Sequence, residues 1–121
     1  MKHMIPGKKY KPCEAYIGLE LIRGRWKACI LLELVPGPMR TGQLVRSLGG
    51  IAKNRLNENL RDLMAAGFVR RRSFAGKVPR VEYELTPFGR SLCPVMEALH
   101  DWGAKNKLNV RRIMSRRRGA R

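Results

Sequence analysis

The stretch "FVRRRSFAGKVPRVEYELT", Phe68–Thr86, holds two short runs of alternating apolar and polar residues on either side of a turn with Gly76 and Pro79. A period of two puts Val81, Tyr83 and Leu85 on one face of a strand, and Phe68 and Val69 open its partner. Arg70, Arg71, Arg72, Lys77 and Arg80 are spread along the two runs and their turn. The stretch therefore predicts a positively charged β-hairpin whose tip offers almost nothing to a core.

The elements around it give the hairpin its setting. Immediately upstream, residues 53–66 form a helix stopped by Gly67, with Leu56, Leu60 and Leu63 on one side and Asn54, Asn57, Glu58 and Arg61 on the other. Before it, Thr41 is expected to cap a two-turn helix over residues 42–48, showing Leu44 and Leu48 to the core, and "GG" at Gly49 and Gly50 makes a tight turn. Farther upstream, residues 13–22 read as a short helix. A second follows, with Trp26, Cys29, Ile30 and Leu34 at helical spacing, until Pro36, Gly37 and Pro38 stop it. Downstream, Thr86 and Pro87 form an N-cap and N1 pair for a last helix through Leu92, Val95, Met96, Leu99 and Trp102, which Pro94 is expected to bend. The predicted order is four helices, a hairpin and a helix: mainly α with a small β-hairpin.

Two helices joined by a glycine-containing turn, the second polar on its outer face, followed by a basic hairpin, make a winged helix-turn-helix plan. A helix about 10–12 Å across fits a major groove about 12 Å wide, and Asn and Arg are side chains that can bond bidentately to base edges. The hairpin is then the wing, lying on phosphates or dipping into the minor groove.

Charge supports that plan. The 121 residues carry 26 Lys and Arg against 9 Asp and Glu, a net +17, so a polyanionic partner is expected. Residues 1–12 and 104–121 hold 12 of those cations and none of the acids. The expected organisation is a basic arm over 1–12, a winged helix-turn-helix domain over 13–103 and a basic tail over 104–121. With 44% hydrophobic residues the chain can form one modest core. Cys13, Cys29 and Cys93 are too scattered for a disulfide framework or zinc site, and no apolar run has the length of a membrane span. A reducing, cytoplasmic setting is expected, with no cofactor, metal or membrane partner. Neither His3 nor His100 has a spaced catalytic partner, and no phosphate-cradling loop appears, so an enzyme is not expected.

The segments "CEAYIGLELIRGRWK", "LLELVPGPMR", "LRDLMAAGFVRR", "PRVEYELTPFGRSL" and "ALHDW" follow one another at the spacing of the HxlR-type winged helix-turn-helix regulators, which residues 13–103 resemble. The resemblance implies a transcription factor without catalytic activity, dimeric through its first and last helices. Glu14, Thr41 and Ala52 stand where that family usually has Pro, an aromatic and Ser. The Ala52 difference removes a side-chain cap worth about 1 kcal/mol.

On this reading the DNA-binding candidates are Arg40, Lys53, Asn54, Asn57, Glu58 and Arg61 in the helix-turn-helix and Arg72, Lys77 and Arg80 in the wing. Lys53 and Arg40 suit phosphates; Asn54, Asn57 and Arg61 suit base edges; Glu58 could accept from a cytosine amine. One of Arg70 to Arg72 could instead turn inward and pair with Glu82 or Glu84. Ile17, Leu21, Leu92, Met96, Leu99 and Trp102 are dimer-interface candidates, the last four equally readable as core. Cys13 occupies a position that in some family members senses electrophiles or oxidants, so it is a candidate redox-sensing thiol, with Lys11 and Arg23 near in sequence. Cys29 is expected in the core.

The expected partners are a second copy of the chain, a pseudo-palindromic double-stranded operator and an unidentified small-molecule or oxidant effector. The competing function is a sequence-independent, chromatin-like protein, because runs of Arg and Lys bind any phosphate backbone. Binding of the polybasic tail to an acidic membrane surface uses the same charge but leaves the wing and the polar helix unexplained.

Overall fold

A computed structural model describes residues 12–119, with side chains from residue 14 onward. The elements are α1 (Pro12–Leu21), α2 (Lys27–Glu33), α3 (Thr41–Ser47), α4 (Lys53–Ala65), β1 (Val69–Phe74), β2 (Arg80–Leu85), α5 (Pro87–Lys105) and α6 (Lys107–Gly119). The core is built from the faces that the apolar spacing marks out. Leu56, Leu60 and Leu63 of α4 meet Ile30 and Leu31 of α2, Leu44 of α3 and Met96 of α5, all buried. Full burial of such side chains stabilises by about 1.5–3 kcal/mol apiece.

The hairpin is antiparallel, with Val69 opposite Leu85, Arg71 opposite Tyr83 and Phe74 opposite Arg80. Val69, Tyr83 and Leu85 anchor its base in the core. Met39 adds a single bridge on the far side of Tyr83, exchanging backbone bonds of 2.9 and 2.8 Å with it. That bridge ties the segment before α3 to the wing and fixes the wing against the helix-turn-helix. Gly67, with φ of +82°, ends α4 in the left-handed conformation that a side chain disfavours.

Four expectations change. The α3 N-cap is Arg40, not Thr41, which is the first helical residue; the Arg40 backbone N–H donates to Gln43 Oε1 at 2.8 Å. The buried stripe of α2 is Ile30, Leu31 and, just past its end, Leu34, and this phase leaves Cys29 exposed rather than in the core. Helix α5 spans Pro87–Lys105 and, as the sequence placed it, has Pro94 inside. Met96 is 1% exposed, which places it in the protomer's own core and not on a dimer seam. The basic tail carries a sixth helix, α6, with no buried residue. Asn106 separates it from α5, and both its backbone and side-chain N–H groups donate to Trp102 O, at 3.0 and 2.9 Å.

Candidate nucleic-acid interface

Helix α4 is held by one side and open on the other. Leu56, Asn59, Leu60 and Leu63 are buried, and Asn59 satisfies its amide by donating Nδ2 to Arg55 O at 2.8 Å. At 100° per residue the opposite side is centred on Asn54, Glu58 and Arg61, with Asn57 at its edge and Lys53 in the first turn. All five are exposed, and none has an ion-pair partner among the described residues. Asn54 is partly committed: its Oδ1 accepts the Arg55 backbone N–H at 2.9 Å, while its N-cap neighbour Ala52 makes no side-chain cap. Its Nδ2 remains to donate. Arg40 is exposed at the start of α3.

The turn between α3 and α4 closes through Gly50 N–H to Val45 O at 2.9 Å, with Gly49 and Gly50 at φ of +74° and +88°. Both are free of any atom within 4 Å of an added Cβ, so bare backbone forms that lip of the motif.

Register decides what the wing's arginines do. Arg70, Arg72 and Phe74 share one face of the hairpin with Arg80, Glu82 and Glu84 across the strand pair. Arg70 Nε donates to Glu84 Oε1 at 2.8 Å, and Arg72 adds a second bond to the same oxygen at 3.2 Å. The Arg70 hydrogen bond, aided by the charge of both guanidiniums and opposed by some desolvation, holds the Glu84 carboxyl below the usual range. Arg80 pairs with Glu82 at 3.4 Å and lies over the Phe74 ring, as does Arg72, at 4.3 and 5.3 Å to its centroid. Two of the three wing candidates are thus tethered inside the wing. Lys77, at the tip, is exposed with no ion pair among the described residues.

Ile17, Leu21, Leu99 and Trp102 are exposed, together with Tyr16, Leu19 and Val95 on the same two helices, while Leu92 is half-buried against the core. The side chain of Cys13 lies outside the described residues. Cys93 is buried, its Sγ donating to Gly89 O at 3.6 Å, and burial pushes its thiol up. Sequence reasoning missed Arg71, exposed on the wing and bonded to Ser73 Oγ at 3.2 Å, and Arg55, on the flank of α4. Their charge was visible, but their lack of carboxylate partners follows only from the fold.

Known proteins share this architecture. A Bacillus subtilis HTH-type transcriptional regulator, YkvN, is 38% identical over 96 residues, 79% of this chain and 80% of its own. YtcD from the same organism is 41% identical over 88 residues, 73% of this chain and 70% of its own. A solved structure of a ytcD regulator superposes with a TM-score of 0.70 at 40% identity, covering 83% of this chain and 99% of that one. The redox regulator HypR in its reduced form superposes with a TM-score of 0.74 at 33% identity, covering 78% and 93%. These relatives are transcriptional regulators, not enzymes. With the HxlR-like helix-turn-helix family matching residues 21–111, this chain belongs to that family and is a transcriptional regulator of winged helix-turn-helix fold.

Proposed function

We propose that the chain binds DNA as a homodimer and selects its site by sequence, with α4 in the major groove and the wing on the flanking backbone. The observation that carries this is the exposed, unpaired side of α4, where Asn54 and Arg61, with Asn57 at the edge, project away from three fully buried leucines. A merely solvated face does not need so rigid a mount, and base reading does, because bidentate bonds demand fixed geometry. Lys53, Arg40 and Lys77 take phosphates; Arg72 and Arg80 serve the wing from within their ion pairs; Glu58 disfavours bases that cannot donate to it. The outer faces of α1 and α5 form the dimer seam, through Ile17, Leu21, Leu99 and Trp102, with Leu92 at its edge. Two-fold symmetry then sets a pseudo-palindromic operator with half-sites about 34–36 Å apart, or a multiple. The winged domain, residues 13–103, carries site choice, and residues 1–12 and 104–121 add affinity for any sequence.

The test is a titration of the full chain onto a duplex it selects from a random pool, against a shuffled duplex, across a salt series. A preference of about 10³ or more that survives rising salt establishes a sequence-specific regulator. Equal affinities that collapse together would replace it with a chromatin-like binder. The HypR likeness also favours an oxidant as effector acting at Cys13. Oxidant should then alter operator binding by the wild-type chain and leave Cys13→Ser unchanged.

A further inference from the structure

A cleft of about 670 Å³ opens along one flank of α4, between that helix, the start of α2 and the Gly49–Gly50 turn. Its cations are Arg25, Lys27 and Arg55, and its carboxylates are Glu58 and Asp62. Lys27 and Asp62 cancel each other in an ion pair of 3.2 Å, with the Lys27 side chain only 17% exposed. That pair pins the first turn of α2 to α4. It thereby holds Arg25, two residues earlier, beside the flank of the helix. The Arg25 guanidinium lies 4.6 Å from the centroid of the half-buried Trp26 ring. Stacking restricts that guanidinium while leaving N–H edges free to donate. Neither Arg25 nor Arg55 has a carboxylate within 4.0 Å among the described residues.

We infer that this cleft is a phosphodiester clamp, in which Arg25, oriented by Trp26, and Arg55 grip the DNA backbone beside the groove that α4 enters. The proposal rests on the DNA-binding reading above. A helix about 10–12 Å across in a groove about 12 Å wide has a phosphate strand along each flank. The cleft lies on one of those flanks. Glu58, at once on the outer side of α4 and in the cleft lining, makes the two surfaces continuous. Its carboxylate repels a phosphate, so the clamp lies toward Arg25 and Arg55, away from Glu58. The bare backbone at Gly49 and Gly50 leaves the strand room to approach. Free phosphate shares this chemistry, but a cleft that borders the reading face and is open on one side suits a passing strand better.

The experiment compares Arg25→Gln, Arg55→Gln, Arg25→Lys and a control, Arg90→Gln at an exposed α5 position outside the cleft lining, with the wild-type full chain, each titrated with the selected and shuffled duplexes over a salt series. Each Gln variant in the clamp should bind both duplexes more weakly and flatten the slope of log K against log salt by about 0.9 for every phosphate it no longer neutralises. The ratio between the two duplexes should stay constant. Arg25→Lys should keep most of the slope, and Arg90→Gln all of it. Circular dichroism melts of each variant separate a failure to fold from a failure to grip the backbone. Unchanged slopes in Arg25→Gln and Arg55→Gln, with wild-type binding intact, overturn the clamp alone; a wild-type chain that binds neither duplex overturns the DNA-binding reading itself. Inorganic phosphate that raises the melting temperature of the wild type but not of Arg25→Gln, with duplex slopes unchanged, would assign the cleft to a free anion and overturn the clamp.

Discussion

Gly89→Ala should destabilise the protein more than its single added methyl suggests. Gly89 sits in the first turn of α5, where that helix crosses the start of the wing. An added Cβ would lie 2.9 Å from the Phe68 carbonyl carbon and 3.2 Å from its Cα, and closer still to the carbonyl oxygen. These are backbone atoms, so no side chain can swing aside. Ordinary contact begins at 3.4 Å, and in a close-packed interior reaching it needs a shift on the order of 1 Å. The same shift stretches three bonds that lock this corner: Gly89 N–H to Thr86 Oγ1 at 3.0 Å, Thr86 Oγ1–H to Gly67 O at 2.6 Å and Thr86 N–H to Phe68 O at 3.0 Å. Overpacking costs about 1–3 kcal/mol, the cap about 1 and a backbone bond about 1.

The expected loss is about 3–5 kcal/mol, a large share of a small domain's stability. At about 4–8 °C per kcal/mol it lowers the melting temperature by about 12 °C or more. Gly103→Ala, in the same helix, meets nothing within 4 Å and should gain about 0.5–1 kcal/mol from helix propensity. Urea denaturation of the two variants gives both numbers at fixed protein concentration. A Gly89→Ala protein within about 1 kcal/mol of wild type would refute the claim that this glycine is dictated by the approach of two backbones.

The other predictions concern charge. Because the Glu84 carboxyl is held low by Arg70, it contributes stability above the unfolded carboxylate range, and that contribution is lost as pH falls through its folded value. Melting temperature against pH should therefore drop less steeply on the acid side in Glu84→Gln, and parallel curves would dismiss the pair as a stabiliser. Arg61→Ala should relax preference at particular base positions, costing about 1–3 kcal/mol there, as selection from a random pool would display. Removing residues 106–121 deletes a helix with six cations and no buried residue. Its melting curve should barely move, while binding to every duplex weakens and loses salt dependence; an unchanged salt slope would show that α6 does not touch DNA.

Where one physical cause dominated, the sequence was readable. The 3–4 spacing of Leu56, Leu60 and Leu63 fixed the buried side of α4, hence its exposed one. The alternation of Val81, Tyr83 and Leu85 fixed β2, and Thr86–Pro87 marked the start of α5, where Thr86 does cap the Gly89 N–H. Elsewhere, local signals competed. In the seven-residue α2 too few turns exist to define a stripe, and packing against α5 and α4 chose Leu31 over Cys29. Thr41 has cap chemistry, but the Met39 bridge to Tyr83 sets where α3 begins and moves the cap to Arg40. The arginine-rich tail offers only a short apolar strip, Val110, Ile113 and Met114, none of it buried, so α6 went unseen. Which arginines are neutralised depends on strand register and long-range approach, as in Arg72 with Glu84 or Lys27 with Asp62.

If the chain binds DNA in the proposed mode, that neutralisation redistributes the work of binding. The wing has the densest run of cations in the winged domain, yet Glu82 and Glu84 engage Arg70, Arg72 and Arg80, leaving Arg71 and Lys77 without carboxylates among the described residues. A phosphate approaching Arg72 must compete with a carboxylate already in place, so the gain is smaller than for a free guanidinium. Arg40, Lys53, Arg55 and Arg61 around α4 have no such competitor among the described residues. Under the proposed mode, neutral replacement of a cation around α4 should therefore flatten the salt dependence more than neutral replacement of Arg72 or Arg80. The wing's internal pairs shape the hairpin, and under the same proposal its phosphate grip concentrates at Lys77 and Arg71. Glu84→Gln then has a second consequence beside its effect on acid stability. Freeing Arg70 and Arg72 should raise affinity for the selected and shuffled duplexes by similar factors and steepen the salt dependence of both. If Glu84→Gln left both affinities and their salt slopes at wild-type values, Arg70 and Arg72 would be structural, and the hairpin would meet DNA through its remaining cations alone.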